Sequence, residues 1–254
     1  RSSDLSRDRE AVSGVSLRIE DGEILGLVGE SGSGKSVTAM SVAGLLPRKQ
    51  CTLSGDILLD GEDLLHADRA LLRQIQGKKI GVVFQEPMSA MDPLMRVGEQ
   101  VGEVLRIHTD LSKEERKQRV LQAMESVELQ DPEAVYRKYP HELSGGQLKR
   151  LCIARALAAN PQYIIFDESF SGLDVTLKKQ VLTLLKELQK RLKTGFLIIT
   201  HDLDTAMFMA DTIHVMRSGK IIETVNSPTS FSDFTEPYSQ ELVKAALFKR
   251  NALQ

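Results

Sequence analysis

The sequence predicts an α/β fold: a mostly parallel sheet, a small antiparallel β subdomain beside it, and a helical subdomain inserted into it. Three observations predict this. Apolar runs of strand length alternate with helical stretches, one such run ends in a Gly/Ser cluster that opens a helix, and residues 87–160 carry helical patterns only.

Ile24 to Val28 is the run that meets the Gly/Ser cluster, and Val37, Met40, Val42, Ala43, Leu45 and Leu46 then keep a helix-like apolar density up to Pro47. That order reads as strand, loop, helix. Asp56 to Leu59 followed by Asp60-Gly61 reads as a strand and tight turn, the start of the antiparallel piece. Ile80 to Phe84, Tyr163 to Phe166, Phe196 to Thr200 and Ile213 to Met216 are further strand-length runs, separated by helical stretches such as Leu177 to Leu192. From about Pro87 to Asn160 the patterns Val97 to Ile107, Lys113 to Val127 and Gln147 to Ala159 are all helical, which marks the insertion. Arg217-Ser218-Gly219-Lys220 reads as a turn joining two final strands. Pro228, Ser230, Ser232 and Pro237 mark a looser tail with a closing helix near Ser239 to Lys249. The expected division of this single domain is a core over 1–86 and 161–225, a helical subdomain over 87–160, and a tail over 226–254.

A chain of 254 residues with 41% hydrophobic content can bury a full core. Its 33 Lys and Arg nearly balance 35 Asp and Glu, so the charge gives no support for a polyanion-binding surface, and no nucleic-acid partner is expected. Cys51 and Cys152 lie far apart without metal-ligand spacing, which fits a reducing compartment, and both are expected to be ordinary buried thiols. No apolar run approaches the roughly 18 residues needed to span a bilayer, so any service to a membrane is expected from outside it. The chain starts at Arg1 rather than methionine, which leaves room for residues upstream, and no charged segment followed by an apolar one predicts a secretory signal.

Gly29-Glu30-Ser31-Gly32-Ser33-Gly34-Lys35-Ser36 is a full phosphate-loop pattern, placed between a predicted strand and a predicted helix as that motif requires. The glycines let successive backbone N–H groups turn toward the α- and β-phosphates, where a helix N-terminus adds partial positive charge. Lys35 is expected to reach the β- and γ-phosphates and the Ser36 hydroxyl to ligate Mg²⁺. The run Tyr163-Ile164-Ile165-Phe166-Asp167-Glu168 is an apolar strand ending in two acids. Asp167 is then expected near the metal, holding it through water, with Glu168 polarising the attacking water as general base. Leu143-Ser144-Gly145-Gly146-Gln147 precedes a helical pattern with Lys149-Arg150, so it reads as a second glycine-bearing helix N-terminus.

Those five residues resemble the signature motif of ABC ATPases, a family whose signature contacts the γ-phosphate held by the opposite subunit. Gln85 matches the family's Q-loop glutamine, which touches Mg²⁺ and reports the nucleotide state to the helical subdomain. Ser171-Gly172-Leu173-Asp174 resembles the D-loop across the dimer interface, and His201 matches the switch histidine that contacts the γ-phosphate. The resemblance spans roughly Val12 to Glu223. It implies ATP contacts over Gly29 to Ser36, Val37 and Gln85, catalytic roles for Glu168 and His201, and Mg²⁺ near Ser36, Gln85 and Asp167. Two departures stand out. Family members stack adenine on an aromatic upstream of the phosphate loop, but no aromatic precedes Phe84; the stack is absent, lost with upstream residues, or replaced by Arg7 or Arg9 within Leu5 to Arg9. Ser169-Phe170 stands where the family commonly has proline-threonine, with no loss of chemistry expected.

Within the family, Gln85 to Pro93 and Pro237-Tyr238-Ser239-Gln240-Glu241-Leu242 look like the peptide and nickel importer branch. That branch implies a second ATPase subunit, identical or related, and two integral membrane permease subunits gripped through the helical subdomain. It also implies a solute-binding protein acting indirectly and a peripheral place on the cytoplasmic face of the cell membrane. The C-terminal tail lacks the cysteine cluster of some relatives, so no iron–sulfur site is expected. The competing reading is a non-transport ABC ATPase of repair, translation or cluster assembly. Against it stand the missing coiled-coil insertion and the missing second ATPase domain; a soluble phosphate-loop kinase would leave the signature and His201 unexplained.

Overall fold

A run of five apolar residues has no face to offer to water, and Ile24–Val28 forms strand β1, buried along its whole length. The computed structural model describes residues 10–47 and 51–252. After β1 come α1 (Lys35–Val42), the short β2 (Leu58–Leu59) and β3 (Glu62–Asp63), α2 (Arg69–Ile75) and β4 (Ile80–Val83). Four helices follow: α3 (Val97–His108), α4 (Lys113–Ser126), α5 (Pro132–Arg137) and α6 (Gly145–Leu157). The chain then returns through β5 (Tyr163–Asp167), α7 (Val175–Leu192), β6 (Gly195–Thr200), α8 (Leu203–Met209), β7 (Thr212–Arg217), β8 (Lys220–Asn226) and α9 (Pro237–Ala252).

The main sheet runs β4-β5-β6-β1-β7-β8, and the pairs from β4 through β7 are parallel. Only β8 is antiparallel, joined to β7 by the turn at Ser218-Gly219, where both residues adopt positive φ. This order fixes where chemistry can gather. In a parallel sheet the carboxyl ends of all strands share one edge, and ligands bind outside that edge. The loops leaving β1, β4, β5 and β6 therefore open side by side, although their residues span from position 29 to 201 in sequence.

One face of the sheet packs with α1, α2 and the β2–β3 hairpin around Leu25, Leu27, Ala39 and Leu72. The other face belongs to a larger cluster that runs from Val101 and Met124 in the inserted helices through Leu151 to Phe166 and Leu185. Phe166 meets Phe196 edge-on at 5.0 Å and Phe170 in a stacked arrangement at 5.5 Å. The inserted helices thus share a core with the sheet.

Three expectations need correction. The antiparallel piece is smaller than Asp56 to Leu59 suggests, because only Leu58 and Leu59 pair, with Asp63 and Glu62. The helix expected to start at Gln147 starts at Gly145, since Ser144 caps it; its Oγ accepts from Gln147 N–H at 3.2 Å, and Gln147 Oε1 accepts from Ser144 N–H at 3.1 Å. Cys51 is exposed while Cys152 is buried. Cys51 stands in an irregular stretch beside exposed Thr52 and has no element face to turn inward, whereas Cys152 lies on the buried side of α6.

The packing of α3 against its neighbours supplies a test. A Cβ on Gly98 would come within 2.2 Å of the Tyr136 ring, while one on Gly102 would stand 3.3 Å from Val120 Cγ2. Gly98→Ala is expected to cost about 1–3 kcal/mol in urea unfolding. Gly102→Ala should stay within about 1 kcal/mol of the unaltered chain, since the better helix former offsets the crowding. Equal midpoints for the two variants would contradict this packing.

Candidate functional site

The loop from Gly29 to Ser36 leaves β1 and enters α1 through Gly34, whose left-handed φ of +107° no other residue type adopts without strain. A Cβ on Gly29 would lie 2.2 Å from the Met216 carbonyl oxygen, so this glycine lets the loop lie against β7. Gly34 makes no side-chain cap, and the first-turn N–H groups of α1 thus lack a protein side chain to serve them. Such a helix end suits an anion.

Lys35 is only 4% exposed and reaches back under the loop. Its Nζ donates to the Gly29 and Glu30 carbonyls, both at 2.8 Å, and to Ser33 Oγ at 3.4 Å. Burial pulls the ammonium below the usual lysine range, and the nearby charges of Glu168, Asp167 and Glu30 oppose that pull. Ser36 Oγ donates to Asp167 Oδ1 at 2.8 Å, which joins the start of α1 to the end of β5. Burial raises the Asp167 carboxyl above the usual carboxylate range, with the Glu168 charge adding to the rise and Ser36 and Lys35 opposing it.

Glu168 follows directly, with its backbone at φ +48°, the left-handed region. Its N–H donates to Ile199 O at 2.9 Å, which carries the β5–β6 pairing one residue past the strand. Its Oε2 lies 2.8 Å from His201 Nδ1, with the imidazole as donor. His201 is set at the end of β6, and Asp202 behind it caps α8 and accepts from Thr205 Oγ1 at 2.7 Å. Lys178 of α7 also pairs with Asp202. Although burial pushes Asp202 up, Lys178 and Thr205 hold its carboxyl below the usual range.

Lys35, Ser36, Val37, Gln85, Glu168 and His201 all line one cleft of about 730 Å³, the size of a small-molecule site. Ser31, Gly32 and Gly34 line it too, while Gly29, Glu30 and Ser33 stand behind them as partners of Lys35. Glu10, Ala11, Ser218 and Gly219 complete its lining. Gly219 N–H donates to Ser33 O at 2.8 Å, so the β7–β8 turn also braces the phosphate loop. Leu5 to Arg9, including Arg7 and Arg9, lie outside the described residues.

None of Leu143, Ser144, Gly145, Gly146 or Gln147 lines the cleft. Ser144 and Gly145 instead form an exposed helix tip with open space beside Gly145. The capping box uses the Gln147 N–H, which leaves those of Gly145 and Gly146 at the tip. Ser171, Gly172, Leu173 and Asp174 lie between Glu168 and α7; Ser171 Oγ donates to Glu168 O at 2.7 Å, and Asp174 caps α7 through Leu177 N–H at 2.9 Å.

For a divalent metal the chain offers Ser36 Oγ and the Asp167 carboxylate, hard oxygen donors that already touch, with Gln85 on the same cleft. Among the described residues no cluster of three or more His, Cys, Asp or Glu could hold a metal. A part-shell of this kind fits Mg²⁺, which binds through one or two protein oxygens and completes its shell with phosphate and water.

Several residues that shape the site escape sequence reading. Ser169 is fully buried and its Oγ donates to Val83 O at 2.5 Å, tying the exit of β5 to that of β4. Buried Lys149 of α6 donates to Gln85 O at 3.1 Å, and Arg155 donates to Ala90 O at 2.6 Å. Lys149 follows the signature closely, but nothing in its type announces the Gln85 carbonyl 64 residues away.

A family model described as ABC transporter matches residues 12–171. The chain is 42% identical over 235 residues to the oligopeptide transport ATP-binding protein OppD of Bacillus subtilis, covering 92% of this chain and 66% of that protein, just under two thirds of its length. It is also 42% identical over 240 residues to the probable D,D-dipeptide transport ATP-binding protein DdpD of Escherichia coli, covering 94% and 73%. Among solved structures, a dimeric post-hydrolysis state of the ATP-binding cassette MJ0796 bound to ADP and Pi superposes with a TM-score of 0.76 at 31% identity, covering 87% of this chain and 92% of that one.

The raised Asp167 carboxyl has a measurable consequence. A raised group contributes stability below its unfolded value, here 3.8, and loses it as pH rises through the folded value. At pH 7 the ionised carboxylate is therefore a net cost. Asp167→Asn should melt at a higher temperature than the unaltered chain at pH 7 without nucleotide, and the gap should close on acidification. A lower melting temperature at pH 7 would contradict the assignment.

Proposed function

Because this chain belongs to the ABC transporter family, we propose that it is the ATP-binding and ATP-hydrolysing subunit of an importer for peptides or nickel. In this reading it works as half of a dimer on the cytoplasmic face of a membrane. The names of the two similar proteins above favour peptides over nickel or a nickel–metallophore complex.

One observation carries the reading. Lys35, Ser36, Glu168 and His201 share a cleft with Asp167 at its edge, while the Ser144 helix tip faces solvent elsewhere on the same chain. A second copy or a close relative can bring its own tip to the phosphates of ATP lying in this cleft. ATP then completes an interface that ADP, lacking the γ-phosphate, completes poorly.

Each residue's part follows from its placement. Lys35 carries its charge to the β- and γ-phosphates, and the backbone N–H groups from Gly34 to Val37 bind the negative oxygens. Mg²⁺, held by Ser36, with Asp167 through water and Gln85 beside them, would neutralise charge between the phosphates. Glu168 accepts the proton of the attacking water at a carboxylate oxygen. His201, bonded to Glu168 Oε2, orients that carboxylate and lies within the same cleft for the γ-phosphate.

Residues 87–160 act in this reading as the unit that grips the permease. Phe84, Met88 and Leu94 are exposed within ten residues of Gln85, Leu94 at 87%, which supports a contact surface in this stretch. Motion at Gln85 passes to α6 through Lys149 and to the 88–90 turn through Arg155. The solute-binding protein meets the permease and influences this chain only indirectly.

Glu168→Gln is expected to lower kcat by about 10²–10⁴-fold, to leave ATP affinity within a few-fold, and to accumulate an ATP-dependent dimer in size-exclusion chromatography. A monomeric variant with normal turnover would overturn the reading. In a reconstituted complex with permease and binding protein, a peptide should stimulate ATPase activity. Co-purification with nucleic acid or ribosomes instead of integral membrane subunits would move the chain to a non-transport role.

A further inference from the structure

The strand-to-helix loop that carries Lys35 has a partner from the opposite end of the chain. Tyr238, in the first turn of α9, is 4% exposed, and its hydroxyl accepts the Glu30 N–H at 3.0 Å. Glu30 is also the residue whose carbonyl receives the Lys35 ammonium at 2.8 Å and the Ser33 N–H at 3.2 Å. The Gly29–Glu30 peptide unit at the entrance of the loop is thus held at its N–H by Tyr238 and at its carbonyl by Lys35, which also holds the carbonyl of the next unit.

The surroundings hold the tyrosine firmly in place. The Arg217 guanidinium lies over its ring at 4.6 Å, at the end of β7 and next to the turn that braces Ser33. Glu223 of β8 secures the entrance of α9: its Oε1 accepts from Thr235 N–H at 2.6 Å, Thr235 Oγ1 at 2.9 Å and Glu236 N–H at 3.1 Å. Phe234, Tyr238 and Ala246 pack into the cluster around Val28, Leu203 and Val215, directly under the start of the phosphate loop. The closing helix expected in a looser tail is therefore seated against the strand that feeds the site.

We propose that Tyr238 is a positioning residue for the phosphate loop, and that through it the docking of α9 sets the chain's affinity for the phosphates of ATP. The inference rests on the ATPase reading. Without the hydroxyl, the Glu30 N–H loses its partner and the first peptide units of the loop can rotate. The carbonyls that gather Lys35 then shift, and the ammonium is no longer presented to the phosphates at the same place. The chemistry of Glu168 and His201, just past β5 and β6, is untouched by such a shift, so the effect falls on binding more than on turnover.

The test is Tyr238→Phe in the full chain, which keeps the ring and its contact with Arg217. The variant should raise KM for MgATP about three- to tenfold, with kcat falling less than twofold. It should also speed amide hydrogen exchange at Glu30 to Gly32, and Glu223→Ala, which removes the acceptor that seats the entrance of α9, should shift KM in the same direction. A merely structural tyrosine would lower the melting temperature and leave KM in place; that outcome, or unchanged exchange at Glu30, overturns the proposal. Failure of the unaltered chain to bind MgATP would instead sink the ATPase reading itself, and this inference with it.

Discussion

A buried ammonium is the constraint on which the rest of the structure depends. Lys35 sits almost out of solvent, and a cation there is tolerable only if oxygen atoms surround it. The Gly29 and Glu30 carbonyls supply two of them, which forces the loop into a tight reversal at the end of β1. The reversal in turn demands a glycine where the loop passes the Met216 carbonyl, and a neighbouring β7 to lie against. Parallel pairing of β1 with β6 and of β6 with β5 then sets Asp167, Glu168 and His201 in front of that charge. Acids and lysine constrain one another, since their attraction opposes the burial that each suffers.

Much of this was legible in the residues themselves. Ile24 to Val28, Tyr163 to Phe166 and Phe196 to Thr200 are apolar runs whose length and flanks admit little but buried strands, and the structure extends them by no more than one residue at either end. The helices α2, α5 and α8 were not foreseen, because six or seven residues give too few turns for an apolar period to show. Cys51 was misjudged for a related reason: residue type suggests an interior, but the stretch around it builds no face that could enter one. Of the site, the residues that present charge or a phosphate-loop pattern were visible, and those that act through one backbone group were not. Ser169 on Val83 O, Lys149 on Gln85 O and Tyr238 on the Glu30 N–H each pair residues more than 60 positions apart, and no local signal announces them.

The long-range bonds share a direction. Each joins a side chain to a backbone group at the carboxyl edge of the sheet, so the edge is laced together by parts of the chain that carry no phosphate-facing chemistry. Lys149 and Arg155 lie on the helix that begins at the Ser144 tip, and they bond to the segment that bears Phe84, Met88 and Leu94. The helix is a lever of 13 residues, about 20 Å long, with the tip at one end and these two anchors along it.

Glu168 is held in a backbone conformation that an L-residue adopts at a cost of about 1–2 kcal/mol and a glycine adopts freely. The carboxylate is kept against a slope. In a pair of related ATPases, a copy released from the need to turn over would gain stability by exchanging this residue for glycine, the one type that adopts this backbone freely. Asymmetry between the two halves of such a machine thus has a downhill path at this residue, and a fully active pair is one in which selection keeps pushing back.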